Sequence, residues 1–231
     1  MGAIHQTLAS YGAVPFSPSD ISGLKLWLKA DSLSLSDNDP VATWTDSSGL
    51  GNSATQATSG SRPTYKTGIV NGKPVVRFDG VDDSLAGTHG AIAIPYTIFI
   101  VMQATGNGSG NQRGYGNASN MLLGPYGGNW QMYSNGFVAD GAVALSAWKV
   151  LMGKVEASPL KTLGVNGSDT TSASAGINLN SSYSVGVGAG FGLTEFVTGD
   201  IAEVIVYDVA LDAGQIASIE GYMSSKYGVS F

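Results

Sequence analysis

The chain has 231 residues, 43% hydrophobic and only 12% charged, with 33 glycines and a net charge of −6. Globular proteins carry about a quarter charged residues, so the surface here is polar but largely uncharged, and the acidic balance argues against nucleic acid, which needs clustered Lys and Arg. The absence of cysteine rules out a disulfide framework, a thiolate zinc site and a cysteine nucleophile.

Taken in chain order, Met1-Gly2-Ala3-Ile4-His5-Gln6 lacks the basic residues and long apolar core of a secretory signal. No segment reaches the ~20 apolar residues of a membrane span, so no membrane partner is expected. Tyr11 to Pro18 is mildly apolar and punctuated by Pro15 and Pro18, which suits neither a long helix nor a central strand. Residues 1–20 therefore read as an arm, packed on its own domain or on a neighbouring subunit, and residues 21–231 as one domain.

That domain opens with Leu24-Lys25-Leu26-Trp27-Leu28-Lys29, whose alternation predicts a strand with three leucines on one face. Further strands are predicted at Ile69-Val70, Val75 to Phe78 and Ile92 to Met102 (broken by Pro95), then at Trp130 to Tyr133, Phe137-Val138, Trp148 to Met152, Leu163 to Val165 and Tyr183 to Val187. Asn-Gly pairs at 71–72, 135–136 and 166–167 mark hairpins, because both central residues of a tight type I′ turn need positive φ. Ile201 to Tyr207 and Tyr96 to Val101 are apolar on both faces, the pattern of central strands covered on each side by a helix, the arm or a partner. Asp212 with Gln215 makes a capping-box pattern for a helix to about Lys226, with Ile216, Ile219 and Met223 on one face and Gly228 near its stop. Many short strands without interleaved helices mean an all-β, antiparallel jelly-roll sandwich with an N-terminal arm and one short C-terminal helix.

Several stretches carry a family resemblance. Leu24 to Asp31, Trp44-Thr45-Asp46-Ser47-Ser48-Gly49-Leu50-Gly51-Asn52, Arg62 to Tyr65, Val76 to Asp83 and Gly199 to Val204 through Tyr227 occur in that order. Together the chain resembles concanavalin A-like (laminin-G-like) jelly-roll domains of bacterial surface and phage structural proteins. Residues 104–190 share only the strand rhythm. The family's opening strand commonly carries Asp where Lys29 stands, so no ligand role is carried to that position. The resemblance implies a lectin, adhesin, glycanase or coat component, since one sandwich hosts all of these.

The residues bear on three chemistries. Sandwich glycanases set paired carboxylates at alternate strand positions, whereas Glu156, Glu195, Glu203 and Glu220 are far apart in sequence and no catalytic residue is assigned. Asp46, Asn52, Asp79, Asp82 and Asp83 are oxygen donors in Gly-rich turns, the ligand type Ca²⁺ prefers; Asp46 with Asn52 and Asp79 with Asp82 are the expected ligand pairs. The plainer account is that such residues bond their own turn backbone. Between Gly106 and Asn135 the aromatic and amide residues suit a shallow glycan surface, with Arg113, Tyr115, Tyr126, Asn129, Trp130 and Tyr133 as candidates. Against this, Trp130 lies in a strand pattern that could fill the core.

The expected function is a non-enzymatic virion or surface structural protein, such as a capsid decoration or tail-fibre component, adhering to host polysaccharide. A lectin-type carbohydrate-binding module is the alternative and a polysaccharide-degrading enzyme the third reading. Assembly through the arm into a homo-oligomer or larger particle, at the virion or cell exterior, is expected with it.

Overall fold

A computed structural model describes residues 15–106, 111–117, 121–179, 185–190 and 194–231. In chain order the strands are β1 (Leu24–Lys29), β2 (Thr43–Trp44), β3 (Ala54–Thr55), β4 (Thr64–Val70), β5 (Lys73–Asp79), β6 (Leu85–Gly87), β7 (Tyr96–Ala104) and β8 (Tyr115–Gly116). Then follow β9 (Leu122–Tyr126), β10 (Asn129–Tyr133), β11 (Phe137–Ala142), β12 (Lys149–Val155), β13 (Lys161–Val165), β14 (Ser168–Ser172), β15 (Val185–Val187), β16 (Thr198–Tyr207) and the helix α1 (Ala213–Tyr227).

Two antiparallel sheets face each other. The first runs β14-β13-β12-β7-β16-β5-β4, and the second runs β11-β10-β9-β8-β15-β6-β3-β2. β16 is the axis of the first sheet. One edge pairs with β7 along its length; the other is shared, with Thr198 to Ile201 against β5 and Glu203 to Tyr207 against β1.

The three Asn-Gly pairs close hairpins β4–β5, β10–β11 and β13–β14, each with positive φ at both residues: 46° and 73°, 55° and 119°, 48° and 75°. Asn and Gly reach this region at least steric cost, which is why the turns fall where the pairs do.

Two apolar layers explain the two-sided strands. Ile98, Ile100 and Met102 of β7 and Val204 and Val206 of β16 point between the sheets, while Phe99, Val101, Ala202, Ile205 and Tyr207 point the other way. α1 covers that outer face with Ile219, Met223 and Tyr227, all buried. At about 1.5–3 kcal/mol per fully buried large side chain, this second layer is a large share of a domain's net stability. Asp212 caps α1, its carboxylate accepting from Gln215 N–H at 2.8 Å, and Gly228 ends it in the left-handed conformation.

β1 departs from simple alternation. A register shift against β16 between Leu24 and Leu26 leaves Leu26 and Leu28 between the sheets but turns Leu24 to the helix side. One extra residue in a bulge reverses the facing of everything before it. β9 was not predicted, because Gly124 and Pro125 both argue against a strand. Of the predicted Tyr183 to Val187, β15 begins at Val185, and Tyr183-Ser184 lies outside the described residues.

The described part of the arm packs on its own domain. The Phe16 ring meets Tyr222 edge-on at 6.4 Å, and Tyr207 Oη donates to Pro18 O at 2.8 Å. Residues 1–14 lie outside the described residues. No helix among those described is long and apolar enough to cross a membrane.

Candidate functional site

The expected glycan residues split by strand parity. In β10 the order Asn129-Trp130-Gln131-Met132-Tyr133 alternates: Trp130 and Met132 are buried between the sheets, whereas Asn129, Gln131 and Tyr133 are half-exposed on the outer face of the second sheet. Tyr115 is likewise a core residue with no exposed surface. Trp130 and Tyr115 therefore cannot offer a ring to a sugar, and both expectations are corrected by the period of two that sends alternate side chains to opposite faces. The same alternation, written in the sequence, was the signal that could have assigned Trp130 inward.

Of the remaining four, Tyr126, Asn129 and Tyr133 are half-exposed on the outer face, whereas Arg113 has no exposed surface and is corrected with Tyr115 as a sugar contact. The three are joined by two residues that sequence reasoning missed, Gln131 and Phe137. The Phe137 ring is 48% exposed; it stacks on Tyr126 with centroids 5.0 Å apart and meets Tyr133 edge-on at 4.8 Å. On the far side of Tyr126 lies the Arg113 guanidinium, its central carbon 4.5 Å from the ring centroid. The result is a continuous ladder, Arg113–Tyr126–Phe137–Tyr133, with the amides of Asn129 and Gln131 beside it.

Register explains this convergence. Tyr126 pairs with Asn129, Gly124 with Gln131, and Tyr133 with both Leu122 and Phe137. Gln112 N donates to Pro125 O and Gly114 N to Leu123 O, which places Arg113 beside Gly124. Arg113, Gly124, Gln131 and Ala139 thus form one row across four neighbouring segments, with a glycine between the two long polar side chains.

The β10–β11 turn that carries Tyr133 and Phe137 is pinned from below. Lys161 of β13 is fully buried, and its ammonium donates to the carbonyls of Ser134 at 2.7 Å, Gly136 at 3.0 Å and Asn135 at 3.4 Å. Burial pushes its pKa down from the ordinary lysine value. Ser134 Oγ in turn accepts from Ile177 N at 3.1 Å. A lysine inside the apolar run Leu160-Lys161-Thr162-Leu163 was the sequence clue to this anchor.

The expected metal pairs fare differently. Asp46 accepts from Trp27 N at 3.0 Å, Ser48 N at 2.9 Å, Ser48 Oγ at 2.6 Å and Asn52 N at 2.9 Å. Burial opposes its ionisation, yet the hydrogen bonds from Ser48, Trp27 and Asn52 hold the carboxyl below its ordinary pKa. The Asn52 amide nitrogen donates to Lys25 O at 2.7 Å. These two residues clasp their own loop onto β1: both Asp46 oxygens accept from within the loop, Oδ1 also accepts from Trp27 N, and the Asn52 amide nitrogen donates to β1.

Asp79, Asp82 and Asp83 do converge, each offering an oxygen within 4.8 Å of the others. Here too the turn uses them: Asp79 Oδ1 accepts from Val81 N at 2.8 Å, Asp83 Oδ2 from Asp79 N at 3.0 Å, and Asp82 Oδ2 from Ser61 Oγ at 2.9 Å. Asp83 is buried, and desolvation, followed by the charge of Asp79, pushes its carboxyl up to about 6. These three are the residues able to hold a hard cation by ligand type.

Trp27 and Trp44 are buried. Trp27 Nε1 donates to the carboxylate of Glu203, which also accepts from Lys226 Nζ at 2.9 Å and from the hydroxyls of Tyr222 and Tyr227. Glu203 is a fully buried charge beneath α1, and Lys226 links it to a second carboxylate, since the same Nζ donates to Asp31 Oδ1 at 3.0 Å.

No protein-family model and no curated protein matches the sequence. Solved structures match in fold. Trypanosoma rangeli sialidase superposes with a TM-score of 0.63 at 13% identity, over 91% of this chain and 34% of its own. Domain 4 of AbnA, a GH43 extracellular arabinanase from Geobacillus stearothermophilus solved with arabinotriose, gives 0.62 at 15% identity, over 85% of this chain and 98% of that domain. The binding domain of Paraclostridial Mosquitocidal Protein 1 gives 0.61 at 14% identity, over 90% and 53%. The chain spans about a third of the sialidase's length. At such identities the likeness establishes the all-β sandwich and nothing finer.

Proposed function

We propose that the protein is a non-catalytic glycan-binding sandwich of the concanavalin A-like kind, and that it binds through the outer face of β9–β10–β11. The observation that carries this reading is the exposed Phe137, held in a ladder with Tyr126 and Tyr133 and flanked by the amides of Asn129 and Gln131. Aromatic faces take the C–H faces of sugar rings, and amides both donate to and accept from hydroxyls. A rigid anchor adds to the support: the Lys161 clamp fixes the turn, so little side-chain and loop entropy is lost on binding. The fold is shared with an arabinanase domain solved with arabinotriose and with a toxin binding domain, which suits a binding role. Display on a virion or cell exterior, through Met1 to Pro18, belongs to the same proposal; deletion of those residues should abolish incorporation while leaving the sandwich folded.

The test is a polysaccharide and oligosaccharide array with wild type, Phe137→Ala and Tyr133→Ala. Binding weakened about tenfold in each variant, the size expected for one lost aromatic contact of ~1–1.5 kcal/mol, supports the reading. Wild-type binding that neither substitution changes would move the site elsewhere. Binding to no glycan would end the proposal.

A further inference from the structure

The first sheet carries a polar cleft on its own outer face, away from the aromatic platform. On β5, Val76 and Phe78 point between the sheets while Val75 joins the α1 layer, so Arg77 and Asp79 share the outer face with Val75. Register brings their neighbours beside them: Thr64 and Asp200 pair with Arg77, and Thr198 pairs with Asp79. Thr105 N donates to Thr198 O at 2.8 Å, which adds the end of β7 to the row. Arg77, Asp79, the three threonines and Asp83 line a cavity of about 450 Å³, within the roughly 300–1,000 Å³ of small-molecule sites. Thr198 is wedged between two turns, because neither Gly80 nor Gly106 leaves room for a Cβ against it.

The lining offers both donors and acceptors. The Arg77 side chain is 45% exposed; its Nε and Nη2 donate to Asp200 at 2.7 and 2.8 Å, and Nη1 meets no acceptor among the described residues. Asp79 gives Oδ1 to Val81 N at 2.8 Å and Asp83 gives Oδ2 to Asp79 N at 3.0 Å. The other oxygen of each accepts from none of the described residues. A ligand that satisfies both kinds of group donates and accepts at once, as hydroxyls do and as a carboxylate or an ammonium does not. Asp200 offsets the Arg77 charge, so the surplus of Asp79 and Asp83 disfavours an acidic sugar.

We propose that this cleft is a second glycan site, which takes one neutral sugar ring by neighbouring hydroxyls, and that the protein therefore holds polysaccharide on two opposite faces. The hydroxyls donate to Asp79 and Asp83 and accept from Arg77 Nη1. The platform lies on the outer face of the second sheet and the cleft on the outer face of the first, so two polymer chains are joined through the sandwich. The bivalence rests on the glycan-binding reading; the ligand of the cleft does not depend on the platform. Joining of chains by two weak sites raises avidity without any new contact.

The experiment follows backbone amide shifts by NMR while isotope-labelled protein is titrated with glucose, galactose, mannose and arabinose, with galacturonate and glucosamine as charged probes. Chelator is present throughout, so that a contact made only through a cation registers as no binding. At least one neutral sugar should shift the amides of Thr64, Arg77 and Thr198 with a dissociation constant of about 1–10 mM, the range open to a single ring. Asp79→Asn, which keeps an oxygen for the turn, should weaken this about tenfold, and Thr198→Val, which keeps the shape, about threefold. Wild type should cross-link a neutral polysaccharide built from that sugar into a precipitate, and Asp79→Asn should not. No shift at these amides with any neutral sugar overturns the cleft, and shifts with galacturonate or glucosamine alone overturn its neutral ligand. Shifts at the cleft without any at Tyr133 and Phe137, and without cross-linking, keep the cleft and overturn the platform and the bivalence. If neither variant folds, the wild-type shift map decides alone.

Discussion

Glu203 illustrates how one residue can tie an element to a sheet. A lone buried carboxylate costs several kcal/mol, and here Trp27, Tyr222, Lys226 and Tyr227 donate to it. Glu203→Ala leaves Trp27 Nε1 and the Tyr227 hydroxyl without their acceptor and Lys226 with Asp31 as its one remaining carboxylate, so a loss of about 3 kcal/mol is expected in chemical denaturation, with α1 the first region to lose exchange protection. Lys161 is the matching case beneath the platform. Lys161→Met removes the ammonium shared by three turn carbonyls, of which Gly136 O keeps Ser134 N as a donor, for an expected cost of about 2–3 kcal/mol and weaker glycan binding with it.

Two other buried groups make opposite demands on pH. Asp83 is raised to about 6 by burial and by Asp79, so its contribution favours the folded state at low pH and is lost as pH rises through about 6. His89 is pushed down to about 4 by burial, so its contribution is present above its ordinary value of 6.5 and is lost as pH falls through about 4. The two offset one another between these limits. Asp83→Asn removes one side, and melting curves of that variant should fall more steeply than wild type on acidification from pH 6.5 towards 4. Parallel curves for the two proteins would contradict the assignment.

At the scale of elements, the hairpins are the part most plainly written in the chain. Asn135-Gly136 predicts its turn because few other residues accept φ of 55° and 119° together. Gly136→Ala is therefore strained at its backbone, by about 1–3 kcal/mol, and should loosen both Tyr133 and Phe137. Glycan affinity should fall although no contacting side chain has changed, and calorimetry on the folded variant would show it. β9 was illegible for the converse reason: Gly124 and Pro125 carry no strand propensity, and tertiary pairing with β8 and β10 overrides it. The bulge in β1 was equally hidden, since alternation in a sequence cannot show where one residue is skipped.

For the whole molecule, the decisive fact is that one sheet is covered twice, by the opposite sheet and by α1. Deleting residues 208–231 would bare Phe99, Val101, Ile205 and their neighbours, a contiguous apolar face of the kind that aggregates. The truncated chain should be insoluble or bind a hydrophobic dye, while residues 1–207 with α1 restored in trans should recover. The sequence by itself determined the all-β class, three hairpin turns, the capped helix and the presence of two-sided strands, because these follow from local dihedral preference and periodicity. Tertiary structure decided which aromatics face out, that Asp46 clasps a loop, and that Gln131, Tyr133 and Phe137 share one surface. Those outcomes depend on register between strands distant in sequence, and a shift of a single residue would have sent each side chain to the opposite face.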